Sequence, residues 1–238
     1  MKHTHIIKYC FLLFFLFFSM FIFADNRFYV WTYEYKTMEK GKAELEYYLT
    51  FSSPDLNNIK NTLISIHQIE IEVGMTDKFD IGIYQVFQQS ANEPLLYKEF
   101  KIRGRYRIGE KNKYFLDPLI YLEYKNNPNF TKNEIEFKLI LAKDIGKFNI
   151  SLNPIFEFEK KDSWEAITKY ALGISYEVNP ILRFGFEVKG SKDGNYIGPV
   201  ISHGKNNAWV ALGSAFKISH TKEGKPEFQI RMLMGLEF

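Results

Sequence analysis

Serine beside histidine is the pattern in this chain that could support nucleophilic chemistry. It occurs three times: Ser65 with His67, Ser202 with His203, and Ser219 with His220. A serine nucleophile needs the imidazole on its own side of the backbone, and a third group to orient the ring. Ser202-His203 and Ser219-His220 are sequence neighbours, which a strand sends to opposite faces. Ser65 and His67 share a face, yet no carboxylate or amide is spaced to orient the imidazole. The chain has one cysteine, Cys10. No His/Cys set has metal-ligand spacing, and there is no phosphate-cradling or dinucleotide glycine motif. Neither a metal nor another cofactor is expected.

The second chemical pattern is charge on alternate residues. Lys101, Arg103, Arg105 and Arg107 form a basic ladder; Glu70 with Glu72, Glu134 with Glu136, and Glu157 with Glu159 form acidic ones. Lys138, Arg183, Glu187 and Arg231 fall on polar faces of the same kind. A period of two puts each ladder on one face of a strand.

The elements behind these ladders repeat through the chain. Phe228, Ile230, Met232, Met234, Leu236 and Phe238 share one face, and Gln229, Arg231, Gly235 and Glu237 the other. Leu182, Phe184, Phe186 and Val188 alternate with Arg183, Gly185, Glu187 and Lys189. Similar runs begin near Gly41, His67, Phe79, Phe100, Leu116, Glu134, Phe148, Lys169, Tyr196 and Ala208; the run Tyr196–His203, with Pro199 inside it, is the least regular. Turn signals between them alternate short and long, as in barrels with short periplasmic turns and longer outer loops. Counting back from Phe238 gives about twelve strands, an even number as bacterial barrels favour.

Alternation also suits a soluble sandwich or barrel. Size and edges favour a membrane. About eight strands is the circumference a side-chain core fills, so apolar residues inside a wider barrel would line a void. Outside they meet lipid, and the charged ladders meet water. Trp164, Tyr97, Tyr114, Tyr124, Tyr196, Phe51 and Phe238 fall near strand ends, as interfacial girdles require. The expected fold class is therefore all-β: a transmembrane antiparallel up-and-down barrel.

The first residues belong to another device. Lys2 and Lys8 precede an apolar run, Tyr9 to Phe23, and Ala24 follows. This order describes a cleaved signal peptide over 1–24, and the run is slightly short for a spanning helix, which needs roughly 20 residues. An uncleaved anchor is the other reading. A lipoprotein is rejected, because Cys10 begins the run instead of ending it. Removing two lysines and no acid lowers the net charge from +3 to +1, so nucleic acid is not an expected partner. Residues 25–40, including Arg27–Lys36 (RFYVWTYEYK), are expected as an N-terminal periplasmic extension, and 41–238 as the barrel.

The terminal run Phe228–Phe238 (FQIRMLMGLEF) resembles the last strand of bacterial outer-membrane proteins. The resemblance implies that Phe228, Ile230, Met232, Met234, Leu236 and Phe238 are an assembly signal, with the barrel-assembly machinery and outer-membrane lipid as partners. Lys40 to Glu46 (KGKAELE) and Ile69 to Gly82 (IEIEVGMTDKFDIG) resemble a loose group of outer-membrane transporter-type barrels that includes ones associated with phenol degradation. That implies a Gram-negative-type envelope, outer-membrane localisation and porin-like transport of small solutes.

Three functions follow in order. The first is a narrow channel or transporter for small polar or charged solutes, with the opposed ladders setting a transverse field. The second is a non-conducting structural barrel whose charges neutralise one another inside the lumen. The third is a lipid hydrolase using Ser65 and His67. The expected chain is not an enzyme.

Overall fold

The computed structural model describes residues 27 to 160, 163 to 219 and 221 to 238. The expected signal peptide lies outside the described residues. Twelve strands follow one another: β1 (Ala43–Ser53), β2 (Ile64–Thr76), β3 (Phe79–Ser90), β4 (Leu96–Arg107), β5 (Asp117–Asn126), β6 (Asn133–Ile145), β7 (Phe148–Lys160), β8 (Trp164–Asn179), β9 (Leu182–Ser191), β10 (Gly194–Lys205), β11 (Ala208–Lys217) and β12 (Phe228–Glu237). Each pairs antiparallel with its chain neighbours, and β1 pairs with β12 to close the wall. Closure leaves no strand edge, which lipid could not hydrogen-bond. At the seam, Tyr47 stands opposite Met234 and Thr50 opposite Arg231. The Ala43 and Phe238 backbones exchange hydrogen bonds of 3.0 and 2.8 Å.

The pleat sorts the sequence as its period demands. Leu45, Ile71, Ile83, Ile102, Leu122, Phe156, Phe186, Leu212 and Leu236 are exposed on the outer surface. Their alternates, among them Glu44, Glu70, Asp80, Arg103, Glu123, Glu136, Ser151 and Glu187, are buried inside. The chain is thus an outer-membrane-type β-barrel, apolar outside and charged within, as its patterning predicts.

The two ends differ. Asp77-Lys78, Gly146-Lys147, Pro180-Ile181 and Asn206-Asn207 are tight turns at one end. That end also carries the longer segment Ile108–Leu116, which the sequence suggests would turn more briefly. The other end carries the long β1–β2 connection, with helical turns at Leu56–Asn58 and Ile59–Thr62, and the β11–β12 connection. These are the turn end and the loop end below. The β9–β10 connection there is only Lys192-Asp193, tighter than its Gly/Asn-rich sequence suggests. The irregular tenth run is a full strand. Pro199 points outward, while Tyr196, Val200 and Ser202 are buried inside. Tyr196 is therefore not a girdle residue.

Residues 27–38 of the expected periplasmic extension lie inside the barrel, and Glu39 and Lys40 are exposed. Tyr29, Val30, Thr32, Glu34 and Met38 are buried, and Tyr29, Val30, Thr32, Tyr33 and Met38 bond to inward side chains of β7, β9 and β3. The sequence reading of a periplasmic extension, free or tucked against the barrel, did not foresee this placement of residues 27–38. The physical reason is the lumen's width: twelve strands enclose more space than their own inward side chains fill. The aromatic run Tyr29, Trp31, Tyr33 and Tyr35 supplies the missing bulk.

Candidate functional site

The site is the filled lumen, built from the segment 27 to 42 and the inward ladders around it. The segment folds back on itself before it meets the wall. The Arg27 guanidinium lies 3.6 Å from the Glu34 carboxylate and donates to the Thr32 carbonyl at 3.2 Å. Glu34 also accepts the Phe28 N–H at 2.9 Å.

A chain inside a barrel cannot join the wall's ladder, so its backbone groups need side-chain partners. β9 supplies Glu187, whose carboxylate accepts three successive N–H groups: Val30 at 3.0 Å, Trp31 at 2.9 Å and Thr32 at 2.7 Å. β7 supplies Asn153, which accepts from the Tyr33 N–H at 2.6 Å and donates to the Tyr33 carbonyl at 3.0 Å. Ser151 donates to the same carbonyl. β3 supplies Asp80, which accepts the Met38 N–H at 2.9 Å. The Tyr35 hydroxyl donates to the Gly109 carbonyl at the turn end, 2.9 Å away.

Two inward glycines make room. A side chain at Gly173 would strike the Tyr29 ring, and one at Gly213 would strike Val30. Tyr29 in turn reaches Asn149 at 2.9 Å. Where the segment passes into β1, Lys42 bridges Glu237 at 2.8 Å and Glu39 at 3.0 Å. Those two carboxylates hold its ammonium above the ordinary lysine range.

The predicted ladders meet in two clusters. Arg103 reaches Glu70 at 2.6 Å and Asp80 at 2.7 Å and also pairs with Glu72. Arg105 binds Asp80 at 2.8 Å and pairs with Glu72. Tyr84 accepts from Arg103 at 2.9 Å, and Tyr48 donates to Glu70 at 2.7 Å. Arg103 is only 2% exposed. In the second cluster Lys125 contacts Glu134 at 2.5 Å, Glu136 and Glu157 at 3.3 Å and Glu123 at 3.5 Å. Lys138 contacts Glu136 at 3.3 Å and lies over the Tyr33 and Tyr121 rings.

The remaining charged candidates are spread through the lumen. Lys101 is 3.8 Å from Glu99. Arg107 donates to the Asp77 carbonyl at the turn end. Arg183 pairs with Glu177 at 2.5 Å and stacks over Phe28, 3.9 Å away. Glu159 is half-buried near the loop end of β7. Arg231 lies over the Tyr48 ring at 5.2 Å.

Pattern reading did not single out Asp80, Glu123, Lys125, Lys169, Lys189 or the segment itself as site residues. The signal for the wall residues was available, because all lie on inward faces. Buried carboxylates at Glu44, Glu46 and Glu72 come within 4.8 Å of one another. Each already has a protein donor: Trp209, Tyr48, and the arginine pair, respectively.

Space remains around the segment. A cavity of about 370 Å³ opens at the loop end against Trp31, Tyr196, Lys169, Lys189 and Gln229. A second of about 160 Å³ lies mid-lumen against Trp31, Tyr33, Tyr84 and Arg231. A third of about 180 Å³ lies towards the turn end against Phe28, Arg183 and Ser202.

On the outer surface, His67 Nε2 is 3.2 Å from the Ser65 hydroxyl, and its Nδ1 is 2.6 Å from the Tyr47 hydroxyl. Ser65 itself is buried. His203 points outward, opposite Leu182, beside the Asn206-Asn207 turn. Ser202 points inward, so the pair splits as strand geometry requires. His220 lies outside the described residues.

No family model and no curated protein matches the sequence. Solved structures do match in fold. An outer-membrane channel from Pseudomonas putida F1 aligns with a TM-score of 0.62 at 10% identity, over 86% of this chain and 98% of that chain. The KdgM porin aligns at 0.59 and 11% identity, over 82% and 99%. The NanC porin aligns at 0.56 and 9% identity, over 81% and 98%. KdgM has also been solved in complex with disordered oligogalacturonate. At these identities the likeness is one of fold.

Proposed function

We propose that this barrel is a narrow outer-membrane channel for small polar or charged solutes, and that its own N-terminal segment constricts it. One observation carries the reading: the segment sits in a water-compatible lumen, held by side chains, with cavities of about 370, 160 and 180 Å³ strung along it. A solid core would have no such spaces. The apolar outer surface meets lipid, the loop end faces outward, and the final strand serves the assembly machinery. Fold likeness to channels and porins agrees with this function.

Planar bilayers test it. Folded protein should give discrete conductance steps. A form lacking residues 27–38, or Gly173→Val, which crowds Tyr29 while suiting a strand, should give larger ones. Silence from all three folded forms would overturn the channel in favour of a plugged structural barrel.

We infer that the protein is not a hydrolase. The Ser65–His67–Tyr47 chain has the right first contact, but its serine is buried. Tyr47 is a weaker orienting partner than a carboxylate. Covalent labelling of Ser65 by a fluorophosphonate would reverse this conclusion.

A further inference from the structure

Most lumenal cations are already committed. Arg103 and Arg105 hold Glu70, Glu72 and Asp80; Lys125 holds four glutamates; Lys169 holds Glu157 at 2.6 Å. Lys189 and Arg231 differ. Neither has a carboxylate within ion-pair distance among the described residues, although both point inward from β9 and β12. Glu187, on the same face as Lys189, is taken up by the Val30–Thr32 N–H groups.

Lys189 lies against Trp31, Arg231 lies over Tyr48, and Trp31 lines the cavities that both cations reach. Lys189 lies 4.2 Å from the Trp31 ring centroid and 5.5 Å from that of Tyr196, and it lines the loop-end cavity. Arg231 lines the mid-lumen cavity, whose wall Trp31 also forms. Gln229 connects them: it accepts from Lys189 and shares the inward face of β12 with Arg231. An ammonium held only by a neutral amide can exchange that partner for an incoming anion, since charge-assisted bonds are the stronger kind. The Arg231 guanidinium has a buried Nε with no hydrogen-bond partner. Trp31 and Tyr196 rings line the first cavity. The acids that line the two cavities are engaged elsewhere: Asp193 with Lys225 at 3.4 Å, Glu123 with Lys125 at 3.5 Å, and Glu136 with Lys125 and Lys138 at 3.3 Å.

We propose that Lys189 and Arg231 are a two-station relay for small organic carboxylates that carry a ring, passed from the loop-end cavity to the mid-lumen cavity beside Trp31. Lys189 captures the carboxylate at the mouth. Trp31 and Tyr196 cover the ring, and Arg231 receives the anion on the far side. The relay rests on the channel reading for its transport step, but binding at Lys189 does not.

Benzoate and its neutral isostere benzamide are suitable probes. In bilayers, wild type should pass benzoate at least tenfold better than the double variant Lys189→Gln/Arg231→Gln, with benzamide passage unchanged. Equal benzoate passage by wild type and double variant would overturn the relay while leaving the channel intact. In detergent, benzoate should change the tryptophan fluorescence of wild type saturably. Trp31→Phe should abolish that change and Lys189→Gln should weaken it at least tenfold. A protein silent in bilayers that still shows this titration would lose the channel and keep the anion site. No benzoate-dependent change in folded wild type would remove the site.

Discussion

The Glu187 carboxylate accepts the backbone N–H of Trp31 at 2.9 Å and, through the same group, those of Val30 and Thr32. One wall residue thus fixes the bend at 30–32 in a chain that has no strand to pair with. Three convergent N–H groups around an anion form a nest. Here the anion belongs to the protein.

Replacing Glu187 by alanine should therefore release the segment without dismantling the wall. Losing hydrogen bonds to a charged group costs about 3 kcal/mol, on the order of a hundredfold in the docked-to-released ratio. Amide exchange across Val30–Tyr33 should accelerate, with strand amides unchanged, and open-channel current should rise. Unaltered exchange at those amides would refute the latch.

Arg103 has a different role from the one its ladder suggests. The sequence casts Arg103 and Arg105 as field-setting charges in a pore. Both are buried and bound by three carboxylates between them. Arg103→Ala should lower stability by about 3–5 kcal/mol, the usual cost of stranding buried partners. Thermal unfolding followed by heat-modifiable gel mobility would register the loss. Full stability with altered ion selectivity would restore the pore-lining role.

Lys42 should make closure of the segment onto β1 sensitive to alkali. Its folded pKa is raised by Glu237 and Glu39. Its contribution is therefore complete below the unfolded lysine value and fades as pH rises through the folded one. The lysine is partly exposed and screened by solvent, so the effect is small, under about 1 kcal/mol. Lys42→Gln should remove the alkaline loss of protection at Gly41 and Ala43, measured against the intrinsic, base-catalysed exchange rate. Persistence of that loss in the variant would assign it elsewhere.

Period two made the wall legible. It put Glu70, Arg103, Glu136 and Glu187 on the inward face and Leu122 and Phe186 on the outward one, because a pleat leaves no other choice. Contacts between ladders were less legible. Arg103 finds Asp80 on the strand between the two ladders, a residue in a weakly alternating run. The segment was hidden for another reason. Its donors bond to Asn153, Glu187 and Asp80, which are far away in sequence and show no local signature. Gly173 and Gly213 were the traces it left, since a strand interior otherwise disfavours glycine.

The order of the chain sets the order of events. Val30 finds its acceptor 157 residues later, and Tyr33 finds its acceptor 120 residues later. Contacts of such separation form late. Neither wall partner is in place until β7 and β9 have been laid down, and the Lys42–Glu237 bridge waits for the final strand. The first part of the described chain therefore cannot complete its contacts until strands far along the sequence are in place. A segment held by Glu187 and Asn153 reports, from within the molecule, that the wall has been built at least as far as β9.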